Sequence, residues 1–358
     1  MTNLRSILDA EIERDGAISF ARFMEIALYT PNLGYYERAQ AVGTAGDFYT
    51  SVSVGTVFGE LLAFQFARWL EELDSPRLQL VEAGAHHGQL ASDILGWLER
   101  HEPALFDRIE YAIVEPSKNL KERQLASLKP FNKSVQWLSH CEDFASKQTG
   151  IIFSNELLDA FPTHVLAWEK ATRRWRELGV TRSGQSFIWT LLPKPLVSFE
   201  NMPQLPGELL EVLPEGFRTE VTPAASDWWR KASNTLQNGR LMTIDYGLDT
   251  EEFFAPHRAQ GTVRAYQKHR PGGDLLVDPG SQDITAHVDF AKVRGMGESQ
   301  GLRTIDYVSQ TRFLTQVVEK MTTDARIPHW TAVHLRQFQT LTHPDHLGRN
   351  FRVLVQKR

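Results

Sequence analysis

The chain has 358 residues, of which 42% are hydrophobic and 23% are charged, and its formal net charge is −5. This composition is that of an ordinary soluble protein, and the length accommodates two domains or one large domain with an insertion. A net negative charge gives no electrostatic footprint for a nucleic-acid partner. The single cysteine, Cys141, excludes an internal disulfide framework and a cysteine-based metal cage.

The sequence shows no pattern typical of a targeting signal or a membrane span. No stretch approaches the roughly 18 consecutive apolar residues that a membrane-spanning helix needs. The N-terminal stretch has no apolar signal core, and it carries four acidic residues that argue against a mitochondrial transit peptide: Asp9, Glu11, Glu13 and Asp15. We therefore expect a cytoplasmic protein without membrane insertion.

Before its first strand the chain is predicted to be helical. Residues 3–29 have the pattern of two short helices broken at Asp15-Gly16, with Ser19 as the N-cap of the second helix. A glycine-punctuated loop follows at 43–50, and a further helix is predicted from about Val57 to Leu73. We expect this region to cover the turn after the first strand rather than to extend the sheet.

From residue 78 onward, strands and helices alternate, which predicts an α/β fold with parallel pairing and right-handed crossovers. An antiparallel pair of strands is predicted within 163–180. The proline-rich stretch 181–225 is the best candidate for an insertion, and 248–285 is a long, polar, glycine-rich segment. The strands that build the sheet are predicted at 78–82, 109–115, 135–138, 150–156, 239–247, 303–311 and 351–355.

Four of these strands end in an acidic residue: Glu82, Glu115, Glu156 and Asp245. The carboxyl ends of parallel strands share one edge of a sheet, and ligands bind at that edge. Glu115 follows the second strand, where a carboxylate can accept hydrogen bonds from both hydroxyls of a ribose. The four acids together therefore predict a ligand site.

The turn after the first strand indicates which ligand to expect. It contains Gly84 and Gly88 in the sequence G-A-H-H-G, which lacks one glycine of the dinucleotide fingerprint and has no P-loop lysine. A cofactor with a ribose but no phosphates suits this turn better. S-adenosylmethionine is such a cofactor, and its positive charges suit the nearby acids.

Several longer segments are similar to those of a known family. The chain resembles the MidA family of S-adenosylmethionine-dependent methyltransferases over nearly its whole length. Mitochondrial relatives in that family are complex I assembly factors that dimethylate an arginine of a partner subunit. The segments are ISFARFMEIALYTPNLGYY, GDFYTSVSVGTVFGE, LVEAGAHHGQLASDIL, YAIVEPS, FSNELLDAFPTHV, LMTIDYG, GTVRAYQKHR, PGSQDITAHVDF and LGRNFRVLV.

The resemblance implies a class I methyltransferase (Rossmann-like) fold with a mixed seven-stranded sheet, a helical N-terminal cap and an inserted substrate-side region. The implied domains are the cap with its cofactor-covering loop at 1–76 and the methyltransferase domain at 77–358, with an insertion at about 181–235 and a long functional loop at about 248–285. The implied cofactor-binding residues are Gly46, Asp47, Thr50, Glu82, Gly84, Gly88, Glu115, Asp143 and Asn155.

The resemblance also implies that the methyl acceptor is an arginine of a partner protein. Carboxylates would localise the charge of its guanidinium, with Glu156 as the first choice and Asp159 or Asp245 as the second. Two alternatives remain open, a small-molecule methyltransferase and a non-catalytic assembly chaperone. The chaperone is suggested by His86, which stands where the family usually has a third glycine and would crowd the cofactor. No metal site is expected.

Overall fold

The computed structural model describes residues 3–38, 50–131, 135–267, 270–271, 273–324, 330–344, 347–348 and 351–358. The chain divides into two compact units. The first unit comprises Met1–Phe48, Leu158–Asp227 and Leu248–Ala291. The second unit comprises Tyr49–Leu157, Trp228–Gly247 and Lys292–Arg358.

The helices and strands of the described residues are numbered separately in chain order. The helices are α1 (Leu4–Asp15), α2 (Phe20–Tyr29), α3 (Val57–Glu71), α4 (Gln89–His101), α5 (Pro103–Phe106), α6 (Lys118–Ser127), α7 (Gly207–Val212), α8 (Pro223–Thr235), α9 (Thr250–Phe253), α10 (Phe290–Ser299), α11 (Gln310–Thr322) and α12 (Ala332–Thr342). The strands are β1 (Ile18–Ser19), β2 (Leu78–Ala83), β3 (Ile109–Val114), β4 (Val135–Leu138), β5 (Gln148–Asn155), β6 (His164–Glu169), β7 (Arg174–Ser183), β8 (Ser186–Leu191), β9 (Arg218–Val221), β10 (Leu236–Leu248), β11 (Arg264–Gln267), β12 (Arg270–Pro271), β13 (Asp283–Thr285), β14 (Val288–Asp289), β15 (Arg303–Ser309) and β16 (Phe351–Lys357).

The second unit is built on a large mixed sheet. Seven of its strands lie in the order β15-β16-β10-β5-β2-β3-β4. The pairs from β10 to β4 are parallel, whereas β16 pairs antiparallel with both β10 and β15. The predicted mixed sheet is therefore confirmed, with its parallel part in the middle and its two closing strands at one edge.

Strand β2 lies in the interior of this sheet, between β5 and β3. All six of its residues are buried, the polar Gln79 and Glu82 included, as expected of a parallel strand that is covered on both faces. Helices α3 and α4 supply much of the apolar core that covers it, including Phe58, Phe66, Ile94 and Trp97. Because α3 belongs to this unit, the helix predicted from Val57 is part of the core that covers the large sheet.

The first unit contains a second, antiparallel sheet. Its strands lie in the order β1-β7-β6-β9, with β8 paired to β7, and the predicted pair at 163–180 corresponds to β6 and β7. Helices α1 and α2 pack their apolar faces in its core. The predicted N-cap is confirmed, since the Ser19 hydroxyl accepts a hydrogen bond from the backbone N–H of Arg22.

Two regions differ from the expectation. No helix or strand was predicted within the proline-rich stretch 181–225, the candidate insertion, and the structure forms β8, α7 and β9 there. Helices α11 and α12 were not predicted, although Phe313, Leu314, Val317 and Met321 form a buried apolar face at helical spacing on α11. The predicted domains 1–76 and 77–358 stay a prediction, and the compact units of the structure divide the chain differently.

Among the helices of the described ranges, none is both long enough and apolar enough to cross a lipid bilayer.

Candidate functional site

The turn between β2 and α4 is made of residues in left-handed backbone conformations. The φ angles are +74° at Gly84, +47° at His86 and +80° at Gly88. Glycine adopts such angles without the steric penalty that a side chain brings. Gly88 also donates its N–H to the carbonyl of Ala85 at 2.7 Å and stands at the N-cap of α4. The first N–H groups of α4 therefore face the turn and are available to a ligand.

His86 is accommodated in this turn by its backbone. Its carbonyl accepts a hydrogen bond from Nε2 of Gln124 at 3.0 Å, and the residue is exposed. Its ring lies edge-on to that of His87, with the ring centres 4.1 Å apart. Protein atoms crowd part of the His86 ring, and this partial desolvation, with the charges of His87 and Arg123, lowers the pKa of its imidazole. The imidazole is therefore neutral at pH 7.

Glu82, near the end of β2, is a buried carboxyl group with one strong hydrogen-bond donor. It is 3% exposed, and its Oε2 accepts a hydrogen bond from the hydroxyl of Tyr111 at 2.6 Å. Desolvation raises the pKa of Glu82 to about 7, although the Tyr111 hydroxyl lowers it and the charge of Asp93 raises it further. Glu82 is therefore only partly ionised near neutral pH.

Glu115, just after β3, is held by two donors. Its Oε1 accepts the backbone N–H of Ser117 at 2.9 Å, and its Oε2 accepts Nε2 of Gln124 at 3.0 Å. Gln124 is fully buried, and its Oε1 accepts Nε1–H of Trp137 at 3.0 Å. Gln124 was not predicted from the sequence. The available signal was a polar residue on the buried face of α6, four positions after Leu120.

At the end of β5, Glu156 lies in a strained turn. Its φ is +51°, and its N–H donates to the carbonyl of Ile244 on the neighbouring strand at 2.9 Å. Its Oε1 accepts hydrogen bonds from the backbone N–H of Ser51 at 3.2 Å and from Nδ2 of Asn155 at 3.1 Å. The Oδ1 atom of Asn155 is buried, and among the described residues it has no hydrogen-bond partner. An orphaned buried acceptor beside a carboxylate is a feature of a ligand site.

Ser51 itself is fixed by a second buried glutamine. The Ser51 hydroxyl donates to Oε1 of Gln310 at 3.1 Å, and Nε2 of Gln310 donates to the carbonyl of Leu341 at 3.0 Å. Ser51 and Gln310 are both fully buried. The turn at Glu156 is thereby tied to α11 and α12, a connection that no local pattern in the sequence predicted.

Asp245 lies inside β10 rather than at its end. It is fully buried, and its Oδ2 and Oδ1 accept the backbone N–H groups of Leu157 at 3.2 Å and Tyr246 at 2.9 Å. Strand pairing aligns the neighbouring residues, with Ala83 opposite Val114 and Ser154, and Ile244 opposite Asn155. The structure therefore brings Glu82, Glu115, Glu156 and Asp245 to one edge of the sheet, as the sequence predicted.

The remaining predicted residues are more scattered. Asp159 is buried in the first unit, where its charge and that of Asp283 contribute, after desolvation, to raising the pKa of Tyr36.

Asp143 is exposed, and its Oδ2 accepts the backbone N–H of His140 at 2.7 Å. The Thr50 carbonyl accepts the Ser53 hydroxyl at 2.8 Å. The predicted residues Gly46 and Asp47 lie outside the described residues.

The donor set of the second unit fits S-adenosyl-L-methionine. Buried carboxylates at the ends of β2 and β3 suit its positive charges and its ribose hydroxyls, and the helix N-terminus suits its carboxylate. Within the described ranges, no group of three or more His, Cys, Asp or Glu residues is arranged to hold a metal ion.

Comparisons with known proteins agree with this geometry. The family model described as "Putative S-adenosyl-L-methionine-dependent methyltransferase" matches residues 61–308. A crystal structure from Burkholderia thailandensis, described as a "likely methyl transferase" bound to S-adenosyl-homocysteine, is 31% identical with a TM-score of 0.84, covering 99% of this chain and 92% of that chain.

Two curated relatives extend the comparison. The chain is 27% identical to "Protein arginine methyltransferase NDUFAF7, mitochondrial" of Rattus norvegicus, over 95% of this chain and 81% of the relative. It is also 27% identical to the Drosophila melanogaster homologue of that name, over 99% of this chain and 84% of the relative.

The prediction of a cytoplasmic location is wrong by this comparison, because these curated relatives are named as mitochondrial proteins. That prediction rested on the lack of a targeting pattern near the N-terminus. The lack of one pattern carries no physical information about where a protein works.

The family match spans more than half of the chain, and the solved relative is similar over almost the whole of it. The fold is the class I, Rossmann-like methyltransferase fold. S-adenosyl-L-methionine is the cofactor. The chain belongs to the MidA family of S-adenosyl-L-methionine-dependent methyltransferases.

Proposed function

We propose that the protein transfers a methyl group from S-adenosyl-L-methionine to an arginine side chain of a partner protein. The names of the curated relatives support this acceptor. The observation that carries the proposal is the fixed carboxylate of Glu156, which Ser51 and Asn155 hold at the edge of the sheet. A carboxylate so oriented matches the planar, donor-rich guanidinium group.

The proposal assigns the cofactor to the turn after β2. Glu82, Gly84 and Gly88 hold its methionine part, and Glu115 accepts the ribose hydroxyls. The same proposal includes the predicted contributions of the covering loop, from Gly46, Asp47 and Thr50. It also places Asp143 at the adenine edge and Asn155 beside the methyl group. Asn155 is supported by its orphaned Oδ1 atom, whereas Asp143 has a local role in capping a helical turn.

The chemistry is an in-line displacement. The bond from sulfur to the methyl carbon breaks as a guanidinium nitrogen forms its bond to that carbon, and this nitrogen gives up a proton. An arginine with a pKa above 12 holds that proton tightly, so a carboxylate must localise the positive charge away from the attacking nitrogen and accept the proton. We assign this work to Glu156 and propose Asp159 as the second carboxylate. The two backbone bonds of Asp245 favour a positioning role for it.

The test is methyl transfer with isotopically labelled cofactor, using protein extract from cells that lack this protein as the acceptor. Labelled methylarginine should appear, and Glu156→Gln should reduce the rate by about 10²–10⁴-fold. The affinity for S-adenosyl-homocysteine should stay unchanged in this variant. Label found only in small molecules would refute the arginine acceptor and favour a small-molecule methyltransferase.

A non-catalytic assembly chaperone is the second candidate, and His86 is the observation that favours it. A residue with a side chain at φ +47° occupies the cofactor turn. Calorimetry with S-adenosyl-homocysteine separates the two functions. No binding by the wild-type protein, with binding gained by His86→Gly, would support the chaperone, whereas micromolar binding by the wild type supports the enzyme.

A further inference from the structure

Gln124 connects the turn after β2 with the carboxylate of Glu115 after β3, two parts of the proposed cofactor site that lie in separate segments of the sequence. Its side chain is fully buried on α6. One carboxamide makes three hydrogen bonds, each of 3.0 Å: Nε2 donates to the carbonyl of His86 and to Oε2 of Glu115, and Oε1 accepts from Trp137. The turn after β2, the carboxylate after β3 and the side chain from β4 therefore meet at a single group.

The direction of this carboxamide is determined by chemistry. The indole Nε1–H of Trp137 can only donate, so the atom that it meets must be the oxygen of Gln124. The nitrogen must then face the other two partners, and both of these are acceptors. If the amide were reversed, its oxygen would face the two acceptors and its nitrogen would face the indole donor. The network thus has one satisfied arrangement.

We propose that Gln124 is a positioning residue for the cofactor. It holds the carboxylate of Glu115 in the plane that receives the ribose hydroxyls, and it holds the carbonyl of His86 so that the N–H groups of the turn face the ligand. The inference rests on the proposed role of Glu115 as the ribose acceptor. It goes beyond that role because Gln124 touches neither the cofactor nor the reacting atoms.

The two N–H bonds of a primary amide diverge at a fixed angle. They therefore fix the separation of their two acceptors as well as the orientation of each. A carboxylate can accept about four hydrogen bonds, and the bonds from Ser117 and Gln124 fix its plane. A methionine at position 124 would fill a similar volume without any donor. Glu115 would then lose one fixed donor, and the turn at His86 would lose its tie to α6.

The test uses Gln124→Met in the full-length protein, with two ligands measured by calorimetry. One ligand is S-adenosyl-homocysteine, and the other is its analogue without the ribose 2′- and 3′-hydroxyls. We expect Gln124→Met to weaken S-adenosyl-homocysteine about tenfold, the effect of one hydrogen bond to a charged group. The analogue should lose much less affinity, because it has no hydroxyls for Glu115 to receive.

Gln79→Met is the matched control. Gln79 is also a buried glutamine of the second unit, and its Nε2 donates to Oε2 of Glu110 at 2.5 Å. It lies on β2, four residues before the last strand residue and away from the turn. Its replacement should lower the unfolding temperature and leave the affinity for both ligands unchanged.

The outcomes separate this inference from the role of Glu115. If Glu115→Gln leaves the binding of both ligands unchanged, the ribose role fails and the inference fails with it. If Glu115→Gln weakens only S-adenosyl-homocysteine but Gln124→Met lowers only stability, as Gln79→Met does, the positioning role alone is refuted. Support requires that Gln124→Met adds little to Glu115→Gln in the double variant.

A further variant keeps the inference testable if Gln124→Met does not fold. Trp137→Phe removes the donor that orients the carboxamide and keeps an aromatic ring in place. It should weaken S-adenosyl-homocysteine more than the analogue, by a smaller factor than Gln124→Met. Equal weakening of both ligands, or none, would overturn the inference.

Discussion

Two buried glutamates, one in each unit, show how carboxyl groups that are both buried can have pKa values shifted in opposite directions. Glu82 on β2 of the second unit is 3% exposed and Glu177 on β7 of the first unit is 0% exposed. Desolvation raises the pKa of Glu82 to about 7. Desolvation acts in the same direction on Glu177, yet its hydrogen bonds and the charge of His164 outweigh it and lower the pKa.

The difference lies in the donors that each carboxylate receives. Glu177 accepts hydrogen bonds from the backbone N–H of Val197 at 3.1 Å and from that of Leu196, and its Oε1 lies 2.7 Å from Nδ1 of His164. Glu82 receives the phenol of Tyr111 as its principal donor. The donors of Glu177 stabilise its ionised form within the fold, whereas the ionised form of Glu82 would gain stability from a cationic ligand. The comparison therefore favours the proposed role of Glu82 in cofactor binding.

The largest expected effect is on the pH dependence of stability. Because the folded pKa of Glu82 is raised above its usual 4.5, the folded state holds a proton that the unfolded state releases, and stability falls as pH rises from 4.5 to about 7. Glu82→Gln removes this loss. Relative to the wild type, the variant should gain about 3 kcal/mol between pH 4.5 and pH 8, measured by urea denaturation.

Glu177→Gln is a control for which we expect the opposite pH dependence of stability. The lowered pKa of Glu177 means that its charge stabilises the fold above pH 4.5 and that this contribution disappears as pH falls through the folded pKa. This variant should therefore be destabilised at pH 8 and much less so at low pH. Parallel stability curves for both variants would show that donor number does not control these two groups.

The second prediction concerns Glu115, a third buried carboxylate that resembles Glu177 in having fixed donors. If it accepts the ribose hydroxyls, Glu115→Gln should weaken the binding of S-adenosyl-homocysteine by about 2 kcal/mol, or roughly 30-fold. Calorimetry at pH 8 measures this. Glu142→Gln is a suitable control because Glu142 is exposed and its Oε1 lies 3.0 Å from Nζ of Lys231. An equal loss in both variants would contradict a specific role for Glu115.

The third prediction tests whether Glu82 receives the positive charge of the cofactor. S-adenosyl-homocysteine carries an ammonium group, which the proposed site pairs with the ionised form of Glu82. With a pKa of about 7, the ionised fraction rises about tenfold between pH 6 and pH 8. Affinity should rise by a similar factor, or about 1.4 kcal/mol. The rise should be absent in Glu82→Gln, and its persistence there would assign the pH dependence to another group.

These residues also show which features of the candidate site could be predicted from the sequence. The four acids at one edge of the sheet were predictable, because a buried parallel strand is rich in apolar residues and each of these strands has an acidic residue at or near its carboxyl end. The turn at Gly84 and Gly88 was predictable for a similar reason, since glycine marks left-handed backbone. Local chemistry is enough for both features.

The partners of those acids were not predictable. Gln124 reaches His86 across 38 positions in the chain, and Gln310 reaches Ser51 across 259. Such pairs depend on the packing of α6 and α11, which no local pattern specifies. The pKa of Glu82 could not be predicted for the same reason, because it depends on burial in the folded protein and on the hydroxyl of Tyr111.

The smallest expected effect concerns His86, whose backbone and side chain act separately. A side chain at φ +47° costs about 1–2 kcal/mol, and glycine removes that strain while losing about 0.5–1 kcal/mol through its more flexible unfolded state. His86→Gly should therefore gain at most about 1 kcal/mol in urea denaturation. Because the backbone carbonyl remains, its hydrogen bond from Gln124 should persist, and the affinity for S-adenosyl-homocysteine should change less than threefold, or about 0.6 kcal/mol. His86→Ala separates the two contributions, since it removes the imidazole and keeps the strain. A large gain in affinity for both variants would show that the imidazole obstructs the cofactor, whereas a gain for glycine alone would show that the strained backbone does.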